Sequence, residues 1–117
     1  MIQPKPGEVY WVDLGMRAKF RPMLVVSRED PEAERALAVC VPLTTEVRGG
    51  SYEVLLPRVK WMPGSEDGVA NVQGITAIEH HRLARRAGKY EPRILATVRE
   101  RIAWMLELLN DHQPKAV

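Results

Sequence analysis

Each apolar run in the first three quarters of this chain is short and is closed by glycine, proline or a polar turn; near the C-terminus the apolar residues switch to helical spacing. Runs of that length suit strands, so the chain must pair them into a sheet to satisfy its backbone. Gly7 opens Glu8-Val9-Tyr10-Trp11-Val12-Asp13-Leu14, a first strand that Gly15 ends. Pro22 can head a second strand, Met23 to Ser27, because a first position can spare its amide. A polar stretch containing Pro31 separates this strand from a third over 36–43. After the Arg48-Gly49-Gly50-Ser51 turn come Tyr52 to Leu56 and then, past Pro63-Gly64, a fifth strand over Gly68 to Gln73. The stretch 79–85 reads as a short helix, and 87–90 as a short strand or turn.

Ile94, Val98, Ile102, Met105 and Leu109 recur every three or four residues and draw one stripe on a helix, with Pro92 near its start and Asn110 at its end. The expected fold class is therefore mainly β with helical additions (α+β), an antiparallel barrel or curled sheet closed by this amphipathic helix. At 117 residues the chain is expected to be one domain over 1–117, with residues 1–6 and 112–117 as loose tails. Its 45% hydrophobic and 27% charged residues are ordinary for a folded chain and argue against disorder.

The lone Cys40 excludes an intrachain disulfide framework, and its apolar surroundings suit a buried hydrophobe better than a reactive thiol. With no signal-like N-terminus and no apolar stretch long enough to cross a bilayer, a cytoplasmic location away from membranes is expected. Net charge is only +2, yet 12 of the 17 basic residues are Arg, whose planar fork suits phosphate.

Two polar groups at strand ends carry the chemical argument. If the second and third strands form an antiparallel hairpin, Arg21-Pro22 at the start of one lies beside Thr44-Thr45 at the end of the other. Pro22 biases Arg21 toward an extended backbone, which holds the guanidinium on a stiff base. A guanidinium and a hydroxyl aimed at one phosphodiester can stabilise the charge that develops when a ribose 2′-hydroxyl attacks phosphorus, a reaction open to RNA and closed to DNA. No cofactor is called for, and no Cys/His spacing of a metal site occurs in the sequence. Arg-Pro at a strand start and Thr-Thr at a strand end are also ordinary turn chemistry. Arg17 and Lys19 in the basic loop before Phe20, with Thr45, are candidate substrate contacts. His80-His81 reads as a solvated pair, Trp104 as core, and Trp61 as the tryptophan better placed to stack on a base.

The chain resembles the MazF/PemK/Kid family of toxin–antitoxin ribonucleases from Gly7 to about Leu109. The matching landmarks are Gly7-Glu8-Val9, Val12-Asp13, Arg21-Pro22 before Leu24-Val25-Val26-Ser27, and Pro42-Leu43-Thr44, followed by Gln73, Ile78, Leu83, Gly88 and the closing helix. The resemblance implies an SH3-like barrel, a homodimer, and metal-independent cleavage of single-stranded RNA to 2′,3′-cyclic phosphate and 5′-hydroxyl ends. It also implies inhibition by a cognate antitoxin, a small acidic protein. By position it places the catalytic arginine on Arg21, the catalytic serine or threonine on Thr44, and an RNA-contacting glutamine on Gln73. The loop from Gly15 to Phe20 is shorter and more basic than is usual in such proteins, and Val72 and Gly74 replace the acidic and basic neighbours that often flank the glutamine. Two other readings stand beside it: a CcdB-like toxin that binds DNA gyrase without catalysis, and a non-catalytic barrel that grips nucleic acid.

Overall fold

A computed structural model describes residues 2–15, 19–64 and 67–108. Seven strands and one helix follow in the order β1 (Glu8–Asp13), β2 (Phe20–Val25), β3 (Leu37–Thr44), β4 (Glu53–Leu56), β5 (Gly68–Asn71), β6 (Thr76–Glu79), β7 (Leu83–Lys89) and α1 (Pro92–Met105). The pairing is antiparallel throughout and runs β4-β5-β3-β2-β1-β7, with β6 also on β3. Strand β3 divides one edge between two partners: Leu37 to Cys40 pair with β6, and Leu43 and Thr44 pair with β5. That division bends the sheet.

Side chains alternate across the sheet, and both faces are covered. Val9, Leu24, Val41 and Leu43 point to one side, where Ile94 and Val98 of α1 pack against them. Tyr10, Val12, Met23, Val25 and Cys40 point to the other, against Ile78 and Leu83. Burial of each such aliphatic side chain contributes roughly 1.5–3 kcal/mol, which is why the apolar runs set the register. Gly7 joins the sheet to the segment before α1: its amide donates to the Val25 carbonyl and its carbonyl accepts from Tyr90, at a φ of +94° that suits glycine.

Several expectations need correction. The path of paired strands is open, because β4 and β7 end it and do not pair with each other among the described residues; of the barrel or curled sheet that the strand pattern allowed, the pairing shows a sheet that does not close. The exposed Arg85, Arg86 and Lys89 on edge strand β7 oppose further pairing there. Residues 79–85 are not a helix: β6 ends at Glu79, His80 to Arg82 make one 3-10 turn, and β7 begins at Leu83. Burial of Ile78 and Leu83 in the second core overrides the helix-forming composition of that stretch. Strand β2 begins at Phe20, paired with Asp13, so Pro22 lies inside it. Helix α1 ends at Met105, while Leu109 and Asn110 lie outside the described residues.

Candidate active site

The β2–β3 ladder runs Val25↔Cys40, Leu24↔Val41, Met23↔Pro42 and stops there. Val26 donates to the Val39 carbonyl, so the register makes Pro22 and Leu43 the next hydrogen-bonded pair past Met23, and Pro22 has no amide to make it. Continuing the register by two residues sets Arg21 opposite Thr44, on strands no longer tied together. The register thus sets the two residues opposite each other, and Pro22 leaves that end of the ladder open.

Arg21, Thr44 and Thr45 line one cleft of about 750 Å³ at this end of the sheet. Leu43, Leu56, Met62 and Tyr90 give it apolar walls. Arg21 is held from below by its pairing with Val12 of β1, a fully buried residue. Its own side chain is exposed, and it takes part in none of the ion pairs found among the described residues, which are Glu46–Arg48, Arg58–Asp67, Glu8–Arg86 and Glu91–Arg93. Thr44 is half-buried, and its backbone is fixed by pairing with Val69 of β5. The Thr44 hydroxyl oxygen accepts the Glu46 amide at 3.0 Å, which leaves its proton free to be donated.

The other residues singled out in the sequence are placed unequally. Gln73 is exposed in a 3-10 turn rather than on β5; Asn71 ends that strand by accepting the Gln73 amide at 3.1 Å, and the cleft wall takes Gly74 and Thr76 instead. Lys19 is exposed, and its carbonyl accepts from Leu14. Arg17 lies outside the described residues. Trp61 is not a free stacking plate: it meets Tyr90 edge-on, with ring centroids 4.8 Å apart, and covers Gly88, where no side chain would fit. Trp104 is half-buried against Tyr52. His80 is buried and only His81 is exposed, which corrects the solvated pair. Cys40 is fully buried, and burial pushes its thiol up to about 12.

Sequence reasoning missed Glu46 and Phe20, which line the cleft together with Trp11. Phe20 is half-exposed beside Arg21, and Trp11 lies under the Arg85 guanidinium, 5.9 Å from the ring centroid. Strand alternation sets Phe20 on the face shared with Trp11 and opposite to Arg21, so the sequence pattern alone would not have joined it to Arg21. Among the described residues no group of three or more His, Cys, Asp or Glu side chains is arranged to hold a metal ion. None of their helices is long and apolar enough to cross a membrane.

The family model for the PemK-like, MazF-like toxin of type II toxin–antitoxin systems matches residues 5–106. The chain belongs to this family. The matched span of this PemK/MazF-family chain includes Arg21, Thr44 and the whole of α1. Among solved structures it is similar to an endoribonuclease in complex with its cognate antitoxin from a mycobacterial species, at 26% identity over 91% of this chain and 97% of that one, with a TM-score of 0.75. A mycobacterial endoribonuclease is similar at 25% identity, covering 92% and 94%, with a TM-score of 0.74. The fold also matches the MazE–MazF structure from Deinococcus radiodurans at 23% identity, covering 91% and 97%, with a TM-score of 0.76. Comparison of the sequence with curated proteins finds none that matches.

Proposed function

We propose that this toxin-family protein is a metal-independent endoribonuclease that cuts single-stranded RNA at the Arg21–Thr44 cleft. The observation that supports the reading is that Arg21, which takes part in no ion pair among the described residues, lines the same cleft as Thr44 at the open end of the β2–β3 ladder. The substrate's 2′-hydroxyl supplies the nucleophile. Its oxygen bonds to phosphorus, the bond to the 5′ oxygen breaks, the 2′ proton is lost to solvent and the 5′ oxygen gains one. The products are a 2′,3′-cyclic phosphate and a 5′-hydroxyl. Arg21 acts as charge stabiliser, because a guanidinium scarcely deprotonates, and the Thr44 hydroxyl donates a hydrogen bond to a phosphate oxygen.

Thr45 at the rim and Gln73 beside the cleft are assigned to RNA contact, and Arg17 and Lys19 to phosphates approaching along their loop. We assign the protein a cytoplasmic role as a homodimer. Its partner is a cognate acidic antitoxin, in keeping with the antitoxin complex of the mycobacterial relative.

Incubating the purified protein with a long RNA in excess chelator and mapping the new ends tests this reading. Discrete cuts with cyclic phosphate ends are expected. Intact RNA would leave the gyrase-binding and non-catalytic readings standing, and cleavage lost only with chelator would overturn the metal-free form.

A further inference from the structure

The loop from β3 to β4, which follows Thr44, has its amides taken up in sequence. The Glu46 amide donates to the Thr44 hydroxyl oxygen at 3.0 Å, and the Val47 amide donates to the Thr45 carbonyl at 3.0 Å. Farther along, the Arg48 and Gly49 amides both donate to the Glu53 carboxylate: Oε1 accepts them at 2.9 and 2.7 Å, and Oε2 lies 3.1 Å from the Arg48 amide. Glu53 is 6% exposed, on the first residue of β4. A charge-assisted anchor in that setting is short and directional. It is itself held by α1, because Arg101 Nη1 donates to the carbonyls of Ser51 and Glu53 at 2.8 Å each. Gly49 takes a φ of +79°, which lets its amide turn toward the carboxylate.

We propose that Glu53 is a positioning residue for the Thr44 hydroxyl, acting through the β3–β4 loop; this rests on the reading of Thr44 given above. One end of the loop is fixed by the β3–β5 pairing and the other by the carboxylate. The Glu46 amide, which orients the hydroxyl, sits between these two fixed points. Glu53 touches no substrate. It restricts the directions in which the Thr44 proton can be donated, and misplacement of a catalytic group by about 1 Å can cost as much as 100-fold in rate.

The test is a cycle of single-turnover cleavage rates for the wild type, Glu53→Gln, Thr44→Ala and the double variant. Affinity is read in parallel with an RNA carrying 2′-deoxyribose at the cleaved linkage. Glutamine retains one acceptor oxygen but turns an amide against the loop's own donors. We expect Glu53→Gln to slow cleavage about tenfold or more, to leave affinity nearly unchanged, and to have almost no further effect in the Thr44→Ala background. Wild-type cleavage by Glu53→Gln, an affinity loss equal to the rate loss, or full additivity with Thr44→Ala would each overturn the proposal while leaving Thr44 in place. Unimpaired cleavage by Thr44→Ala would overturn the reading of Thr44 itself, and this proposal with it. Where Glu53→Gln does not fold, Gly49→Ala decides, since it strains the positive φ at a site with open space around it. Several-fold slower cleavage at unchanged affinity supports the anchor, and an unchanged rate overturns it.

Discussion

The two ends of the β1–β2 hairpin use similar residues for opposite purposes. At the Glu8 end, a buried carboxylate accepts from the Lys5 amide at 2.7 Å, the Tyr10 hydroxyl at 3.1 Å and Arg86 Nε at 2.8 Å. At the Arg21 end, an exposed arginine lines a cleft together with Thr44 beyond the last β2–β3 pair. Burial alone would raise the Glu8 carboxyl; the hydrogen bonds from Lys5, Arg86 and Tyr10 outweigh it and set the group below its ordinary value. Burial and the Glu8 charge push Tyr10 up to about 12. A polar group whose partners all come from its own chain stabilises the fold. One left without them at an open cleft is available to a ligand.

The contrast predicts a clean separation between loss of activity and loss of stability. Arg21→Ala has the largest expected effect, a fall of about 100- to 1000-fold in cleavage rate with an almost unchanged melting temperature. A comparable loss of stability would mean that Arg21 belongs with Glu8 as a structural group. Glu8→Ala should do the reverse. It orphans donors in a buried setting and should cost about 1–3 kcal/mol in chemical denaturation, with the per-molecule rate of the folded fraction preserved. Unchanged stability would remove Glu8 from its structural role.

The next effect concerns pH. Because the folded Glu8 carboxyl titrates below its unfolded value, its stabilising contribution is present above the ordinary value of 4.5 and is lost as pH falls through the lower folded value. Glu8→Gln should therefore flatten the acid limb of a stability–pH curve, and an unaltered limb would assign that limb to other carboxylates. The smallest expected effect is that of Gln73→Ala, which should shift the preferred cleavage sequences while changing the total rate by less than about tenfold, as suits one lost hydrogen-bonding contact to a base. Identical cut-site maps would take Gln73 out of RNA contact.

The Arg21 end was the more legible of the two in the sequence. Antiparallel pairing of neighbouring strands is a local rule, so placing Arg21 beside Thr44 needed only two apolar runs and the polar stretch between them. The α1 stripe was equally direct, with Ile94 and Val98 buried as their spacing required. The Glu8 end was opaque because its partner Arg86 lies 78 residues away, just beyond the stretch 79–85 that read as a helix. Leu83 makes the end of that stretch a strand by its burial, and Gly88, in the stretch read as a strand or turn, accepts the Trp61 ring against its backbone; neither contact is visible in local propensity. Trp61 was misread for the same reason. Glu53 has no signal of its own, since its partners are backbone amides, which any sequence would supply.

In the proposed reaction the nucleophile belongs to the RNA, and Arg21 and Thr44 only stabilise the charge it creates. The most direct test is cleavage of a mapped RNA substrate remade with one 2′-deoxyribose, on the 5′ side of the cut linkage. The deoxy-substituted RNA is expected to bind and compete but not to be cut at that linkage. Cleavage there at the rate of the all-ribose substrate would contradict the proposed reaction.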